Sequence, residues 1–385
     1  MRHFVFATLL WMIAAPLWAQ NFATPARSAF VIDVSSGTVL LAKNADAPLP
    51  PASMSKLMTL NMLFEALVDG RVSLSDTWRV SQRAQDLGGS SMYLDKRDRP
   101  TTEELIQGII VQSGNDACVV VAEGLAGGEE EFAQLMTERA RSLGMNNSTF
   151  GNASGWPHPL QKMSTHDLGT LAVRLITEFP QFYPYFSQKS FAFDGRVPDN
   201  HRNRNPLLAL GIGADGLKTG HTNEAGYGLV GSAVQGKRRV VFVVSGLDSA
   251  NLRATESERI TNWALRQFIQ KTIATPDDII TDAPVWMGEV TKVALVPATP
   301  IELLLPVVGS DKLNAIVEYH GPIQAPVSAG QELGRLVIKR EGLTDQSFPL
   351  VAKDAVQSGG FMTRITTGAA KLKQQYWASE PDPAS

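Results

Sequence analysis

Cysteine is almost absent from this sequence: Cys118, in the apolar run DACVVVAEGL, is the one copy among 385 residues. A single thiol can build neither a disulfide framework nor a thiolate metal site, and a lone cysteine in such a run reads as core filler. A surplus of charge of one sign is missing too. Lysine and arginine total 35 against 38 aspartates and glutamates, so nothing draws the chain to a polyanion and no nucleic-acid partner is expected. The apolar run at residues 4–15 is short for a membrane span. With Arg2 and His3 before it and PLWA after it, that run has the three parts of a secretory signal. Residues 1–19 are therefore read as a signal peptide cleaved between Ala19 and Gln20, which places the mature chain outside the cytoplasm.

What is present suffices for real cores. The chain is 44% apolar and long enough for two or three domains. SAFVIDVSSGTVLLAKNAD alternates around Ser35, Ser36 and Gly37, which predicts a two-stranded hairpin. Leu57, Met58, Leu60, Leu63 and Phe64 recur at helical spacing. Thr101 and Glu104 form a capping box ahead of another apolar run. That run breaks at SGN, a second apolar helix follows to about Gly124, and a charged one covers residues 128–142. Ser164 or Thr165 caps a further helix. DGLKTGH, YGLVGSAV and RRVVFVVSGL, joined at Ala225–Gly226 and Gln235–Gly236, predict an antiparallel meander. A long helix is expected across LRATESERITNWALRQFIQKT. Together these make a mixed α and β domain over residues 20–273.

Composition then shifts. Residues 274–283 are polar and Pro-bearing, a linker. Residues 284–354 show short strand patterns at turn-sized intervals, a small all-β domain without a titratable cluster, suited to spacing or docking. Residues 355–385 form a tail. On a helix starting at Phe361, the residues Phe361, Met362, Ile365, Ala369, Leu372 and Tyr376 fall within about a 100° arc, with Arg364, Lys371 and Lys373 outside it. This pattern predicts an interfacial helix that rests on a membrane surface.

The chemistry is expected in PASMSKLMTL, where Ser53 and Ser55 precede Lys56. Residues three apart share a helix face, so Ser53 stands over Lys56 and Ser55 points away to pack or cap. A serine hydroxyl is a weak nucleophile until a base takes its proton, and a neutral lysine amine one turn away serves. Burial or cationic neighbours lower the amine's pKa enough for that task. A helix start also directs free backbone N–H groups at a developing oxyanion. S-x-x-K alone is weak, but SGN at residues 113–115 and KTG at residues 218–220 follow in order, on a helix break and a strand. No metal or organic cofactor is implied.

This triple of motifs characterises β-lactamases and penicillin-binding proteins. With SGNDA, GMNNSTFGNASG and DGLKTGHTNEAGYGLVGSA, nearly the whole chain past residue 19 resembles the low-molecular-mass penicillin-binding proteins that act as D-alanyl-D-alanine carboxypeptidases. The resemblance implies a penicillin-recognising, β-lactamase-like transpeptidase fold of α/β (α+β) class. It also implies removal of the terminal D-Ala from peptidoglycan pentapeptides, and β-lactams as covalent inhibitors. It makes Ser53 the acylated nucleophile, Lys56 its base and Ser113 a proton relay. Asn115 would bond the substrate peptide, and Lys218 would add positive charge near Ser113. Thr219 of the Lys218–Thr219–Gly220 strand would take the terminal carboxylate, with Arg204 and Arg253 as further candidates for it. The N–H groups of Ser53 and His221 would form the oxyanion hole. Asn152 and Gly155 are expected to shape a loop. The location implied is the periplasmic face of the inner membrane, held by the tail.

Other members of the superfamily are disfavoured. A class A β-lactamase drives deacylation with a glutamate between S-x-N and K-T-G, and NASGWPHPLQKMSTHDLGTL has none. A D,D-endopeptidase shares the fold but in its usual compact form lacks a second domain. A non-catalytic peptidoglycan-binding scaffold would have no need of Ser53, Lys56 and Lys218 together.

Overall fold

The computed structural model describes residues 22–196, 201–307, 313–340, 343–361 and 365. The predicted signal peptide and, apart from Phe361 and Ile365, the predicted amphipathic helix lie outside the described residues.

Alternating apolar residues generate the first sheet. Strands β1 (Ser28–Asp33) and β2 (Thr38–Lys43) form the expected hairpin. Six helices follow: α1 (Lys56–Val68), α2 (Gln82–Asp86), α3 (Thr102–Gln107), α4 (Asn115–Ala126), α5 (Glu129–Ser142) and α6 (Thr165–Thr177). The meander is β3 (Ala214–Thr222), β4 (Gly226–Gln235) and β5 (Arg238–Leu247), succeeded by α7 (Ala250–Arg266). Because β5 pairs with β1, the strand order is β2-β1-β5-β4-β3, which leaves β3 with an unpaired edge. In β5, Val241 and Val243 enter one core with the helices α1, α3, α4 and α6, while Val240, Phe242 and Val244 enter another against α7. The sheet is thus covered on both faces, as the period-two alternation of side chains requires.

Helix ends follow local chemistry where the caps are local. Thr101 and Glu104 make the reciprocal capping box, and Ser164 accepts from the Asp167 N–H at the start of α6. The end of α7 departs from expectation. The helical pattern runs on to Thr272, yet α7 stops at Arg266 and residues 268–274 form a strand, β6 (Phe268–Ala274). The reason lies far away in sequence. The Arg238 guanidinium on β5 donates to the carbonyls of Ala264, Leu265 and Phe268 while pairing with Asp33, so the orphan carbonyls at the helix end are satisfied from outside.

The remaining strands are β7 (Thr281–Trp286), β8 (Lys292–Pro297), β9 (Ile301–Pro306), β10 (Asn314–Tyr319), β11 (Ile323–Gln324), β12 (Glu332–Arg340) and β13 (Leu343–Ala352). They form a six-stranded sheet, β10-β12-β13-β8-β7-β11, and a β6–β9 pair. The all-β unit therefore begins with β6, and β7 occupies part of the expected linker at residues 274–283. Its far end also extends past residue 354, because Val356 bridges to Val327 and Ser358 to Gly288. Strand β9 joins the two units: Ile301, Leu303 and Leu305 enter the β core, while Leu304 enters the core beneath α7. No helix among the described residues is long and apolar enough to cross a membrane.

Candidate active site

Three elements converge on Ser53. The first is a 3-10 turn, residues 52–55, that leads into α1. At three residues per turn, positions i and i+3 eclipse, so Lys56 Nζ lies 3.0 Å from Ser53 Oγ. Ala52 enters the turn at φ 49°, a left-handed conformation that costs a non-glycine residue energy. Ser55 points away and donates to the Ala52 carbonyl (3.0 Å), a packing and capping role as expected.

Lys56 is fully buried, and its other contacts define its chemistry. Nζ donates to Asn115 Oδ1 (2.7 Å) and to the Ser154 carbonyl. A neutral amine has two N–H donors and one lone pair. With both donors taken by these oxygens, the lone pair is left for the Ser53 hydroxyl. Burial, reinforced by the Arg204 cation and opposed by Cys118 and Asp116, pushes the Lys56 pKa down from 10.5 to about 8. At neutral pH roughly one amine in ten is then unprotonated, instead of about one in three thousand at the ordinary value.

The second element is the break between α3 and α4. The expected helix does not simply stop at SGN: after α3 it widens into a π turn over residues 108–112, and Ser113 closes it at φ 60°. Such turns accompany functional sites. Ser113 Oγ is buried and makes no hydrogen bond within the protein, leaving it free for a proton-transfer contact. Asn115 is the first residue of α4. Its Oδ1 holds Lys56 and its Nδ2 donates to the Gly88 carbonyl (2.9 Å), so both ends of the amide are engaged inside the protein. The amide nitrogen carries a second N–H, which is left for the substrate contact expected of this residue.

The third element is the free edge of β3. A Cβ on Gly220 would lie 2.9 Å from the Pro51 carbonyl and 3.0 Å from Met54 Cγ. Glycine is what lets this strand pass against the nucleophile's turn. Lys218 and Thr219 are buried just before it, with Lys218 Nζ on the Thr219 carbonyl. Burial first, then the Arg204 and Lys56 cations, pushes the Lys218 pKa well below its usual value, and Arg253 adds to the effect. Four cations thus gather around one cleft. Arg204 is anchored by Ser90 Oγ and the Gln112 carbonyl, both at 3.0 Å. Arg253 lies over the Tyr227 ring, which stacks on His221 at 3.9 Å. The Arg253 Nε has no partner in the protein.

Several residues were not legible as site residues. Ser154 contributes only a backbone carbonyl, for which no side-chain signal exists. Asp116 accepts from Ser91 Oγ and from the Met92 and Leu94 N–H groups, tying residues 91–94, ahead of α3, to SGN. Tyr227 reads in sequence as an ordinary strand residue. Asn152 and Gly155 behave as expected: Asn152 Oδ1 accepts from the N–H groups of Ser154, Gly155 and Trp156. Cys118 is buried core, its thiol pushed up to about 12 by desolvation.

Comparison with known proteins gives a consistent result. The profile of the peptidase S11 family, described as D-alanyl-D-alanine carboxypeptidase, matches residues 16–249. That of the penicillin-binding protein 5 C-terminal domain matches residues 268–358. The chain is 34% identical to the D-alanyl-D-alanine carboxypeptidase DacC of Escherichia coli, over 91% of this chain and 89% of the relative. It is 32% identical to DacF of Bacillus subtilis, over 89% of each. The crystal structure of DacD from Francisella tularensis superposes with a TM-score of 0.77 at 27% identity, covering 89% of this chain and 96% of that one. Penicillin-binding protein D2 of Listeria monocytogenes, in an ampicillin-bound form, superposes at 0.58 and 30% identity over 64% of this chain and 100% of that one.

Proposed function

The chain belongs to the peptidase S11 family of D-alanyl-D-alanine carboxypeptidases, and from that premise we propose the roles of its residues and its place in the cell. It is a hydrolase of the penicillin-binding family, with peptidoglycan stem peptides as its substrate class.

The proposed cycle starts with neutral Lys56 taking the Ser53 proton as Oγ attacks the carbonyl of the penultimate D-Ala. The N–H groups of Ser53 and His221 stabilise the oxyanion. Collapse breaks the peptide C–N bond, and Ser113 relays a proton to the departing D-Ala amine. Water, deprotonated by the same Lys56, then hydrolyses the ester and restores Ser53. Thr219, Arg204 and Arg253 take the terminal carboxylate, and its negative charge offsets the mutual repulsion of the surrounding cations. A β-lactam enters the same path and stops at the ester.

The observation that carries this reading is the Lys56 amine, 3.0 Å from Ser53 Oγ with two oxygens on its donors. It is tested by intact mass after exposure to benzylpenicillin. One penicilloyl group on the native chain and none on Ser53→Ala supports it. An adduct that persists in Ser53→Ala rejects the nucleophile.

Location belongs to the same proposal. The composition of residues 1–19 supports export, and the amphipathic pattern from Phe361 to Tyr376 supports peripheral attachment to the periplasmic face of the inner membrane. Phe361 and Ile365 are both exposed, which supports that reading.

A further inference from the structure

The two arginines assigned to the substrate's terminal carboxylate are held in different ways. Arg204 donates to Ser90 Oγ and to the Gln112 carbonyl. Arg253 is 9% exposed, and its Nε is buried without a hydrogen-bond partner. Among the described residues its guanidinium has one attractive partner, the Tyr227 ring, whose centroid lies 5.6 Å from Cζ. Its place in the fold adds to the strain on the charge. Arg253 stands in the first turn of α7, where the positive end of the helix dipole disfavours a cation. Burial first, and then the Arg204 cation, hold its pKa below the ordinary value. A guanidinium buried without an anion is unfavourable, and a carboxylate bound beside it would relieve all of these effects.

The sheet register explains how Tyr227 comes to hold this cation. Tyr227 opens β4, opposite His221 on β3 and Leu247 on β5. Its ring stacks on the His221 imidazole at 3.9 Å between centroids and packs against the core beneath α7. The ring is therefore fixed by β3, the strand that carries Lys218 and Thr219, while it touches a cation on α7. A ring face attracts a guanidinium without accepting its N–H groups as an oxygen would, so the donors stay available for a carboxylate. An arginine side chain with no such hold samples several rotamers, and binding must then order it. We propose, resting on the carboxypeptidase reading, that Tyr227 is a positioning residue of the reaction. Its ring, braced by His221, holds the Arg253 guanidinium for the terminal carboxylate and so sets the preference for a peptide that ends in a free acid.

The test compares two soluble peptides that end in D-Ala-D-Ala and differ only in the last group, a free carboxylate or its amide. Release of D-Ala or D-alaninamide by the full chain gives kcat/KM for each, and the native chain should prefer the acid. Tyr227→Leu removes the ring and should lower that preference roughly fivefold to tenfold, the range of a partly desolvated cation–π contact. The loss should appear chiefly in KM for the acid. Tyr227→Phe keeps the ring face and should stay within about twofold of the native ratio. In an Arg253→Met background, Tyr227→Leu should lower the ratio no further. A ring that only filled space would change both peptides alike and leave the ratio as it was. Uptake of one penicilloyl group shows that each variant has folded, and Tyr227→Met takes the place of a leucine variant that fails this check. A ratio unchanged in Tyr227→Leu, lost in Tyr227→Phe, or lowered further in the Arg253→Met background overturns the role of Tyr227 alone. Equal kcat/KM for acid and amide in the native chain removes the carboxylate pocket and that role with it. Release from neither peptide overturns the carboxypeptidase reading itself.

Discussion

Lys56 carries the chemistry at the scale of single residues, and its behaviour turns on a sign. Burial opposes the charged form of an amine, so the pKa falls, to about 8, and the base is the form that gains. The fraction of neutral Lys56 therefore rises about tenfold per pH unit below 8 and levels off above it. The second-order rate constant for acylation by benzylpenicillin should climb from pH 6 to 8 with unit slope and flatten beyond. A profile already flat between pH 6 and 7.5 would remove Lys56 as the base; one still rising through pH 10 would mean that burial does not tune it. Lys218 is depressed for the same reason, burial first and then the Arg204 and Lys56 cations. An incoming carboxylate raises it again, which suits a group that meets charge only when substrate is bound.

Among the elements, the loop at residues 152–156 decides whether the nucleophile and its base meet. Asn152 gathers three N–H groups onto one oxygen, which turns the Ser154 carbonyl toward Lys56. Gly155 follows at φ +81°, where a Cβ would come within 2.0 Å of the Ala52 carbonyl and 2.5 Å of Ser55 Oγ. Gly155→Ala thus strains the backbone and pushes on the turn that bears Ser53. It should lower the acylation rate constant by at least tenfold and destabilise the protein by about 1–3 kcal/mol, read as a lower Tm. Unchanged acylation would show that the turn tolerates displacement. The π turn before Ser113 and the 3-10 turn at Ser53 share one feature: each puts a side chain where a regular α-helix would not.

At the scale of the whole molecule, β9 places Leu304 in one core and its neighbours in another, so the catalytic and all-β units are packed together rather than strung on a linker. The hydrogen-bonded structure of the all-β unit reaches Gly359, whose N–H donates to the Met287 carbonyl. A deletion that spares the unit therefore begins at Phe361. Removal of residues 361–385 should release the chain from membranes into the soluble fraction while leaving kcat/KM on a soluble pentapeptide within about twofold, because the tail carries none of the proposed site residues and surface changes away from a site are nearly neutral. Retention of the deleted form on vesicles would locate membrane binding elsewhere.

Much was legible in the residues themselves. The hairpin at Ser35–Gly37, the Thr101 cap, the meander and the order of S-x-x-K, S-x-N and K-T-G rest on side-chain periodicity and local hydrogen bonding, which act within a few residues and so are written in sequence. The boundary at β6 was not, because Arg238 on a distant strand satisfies the end of α7. Nor was the engagement of Asn115, since its partners Lys56 and Gly88 are brought to it only by packing. The same holds for the Ser154 carbonyl and the Tyr227 stack. Which residue types can do acyl transfer was set by their chemistry and spacing. Which proton, oxygen and carbonyl face one another was decided by the fold, because burial, pKa and hydrogen-bond geometry depend on neighbours that the chain brings together from far apart.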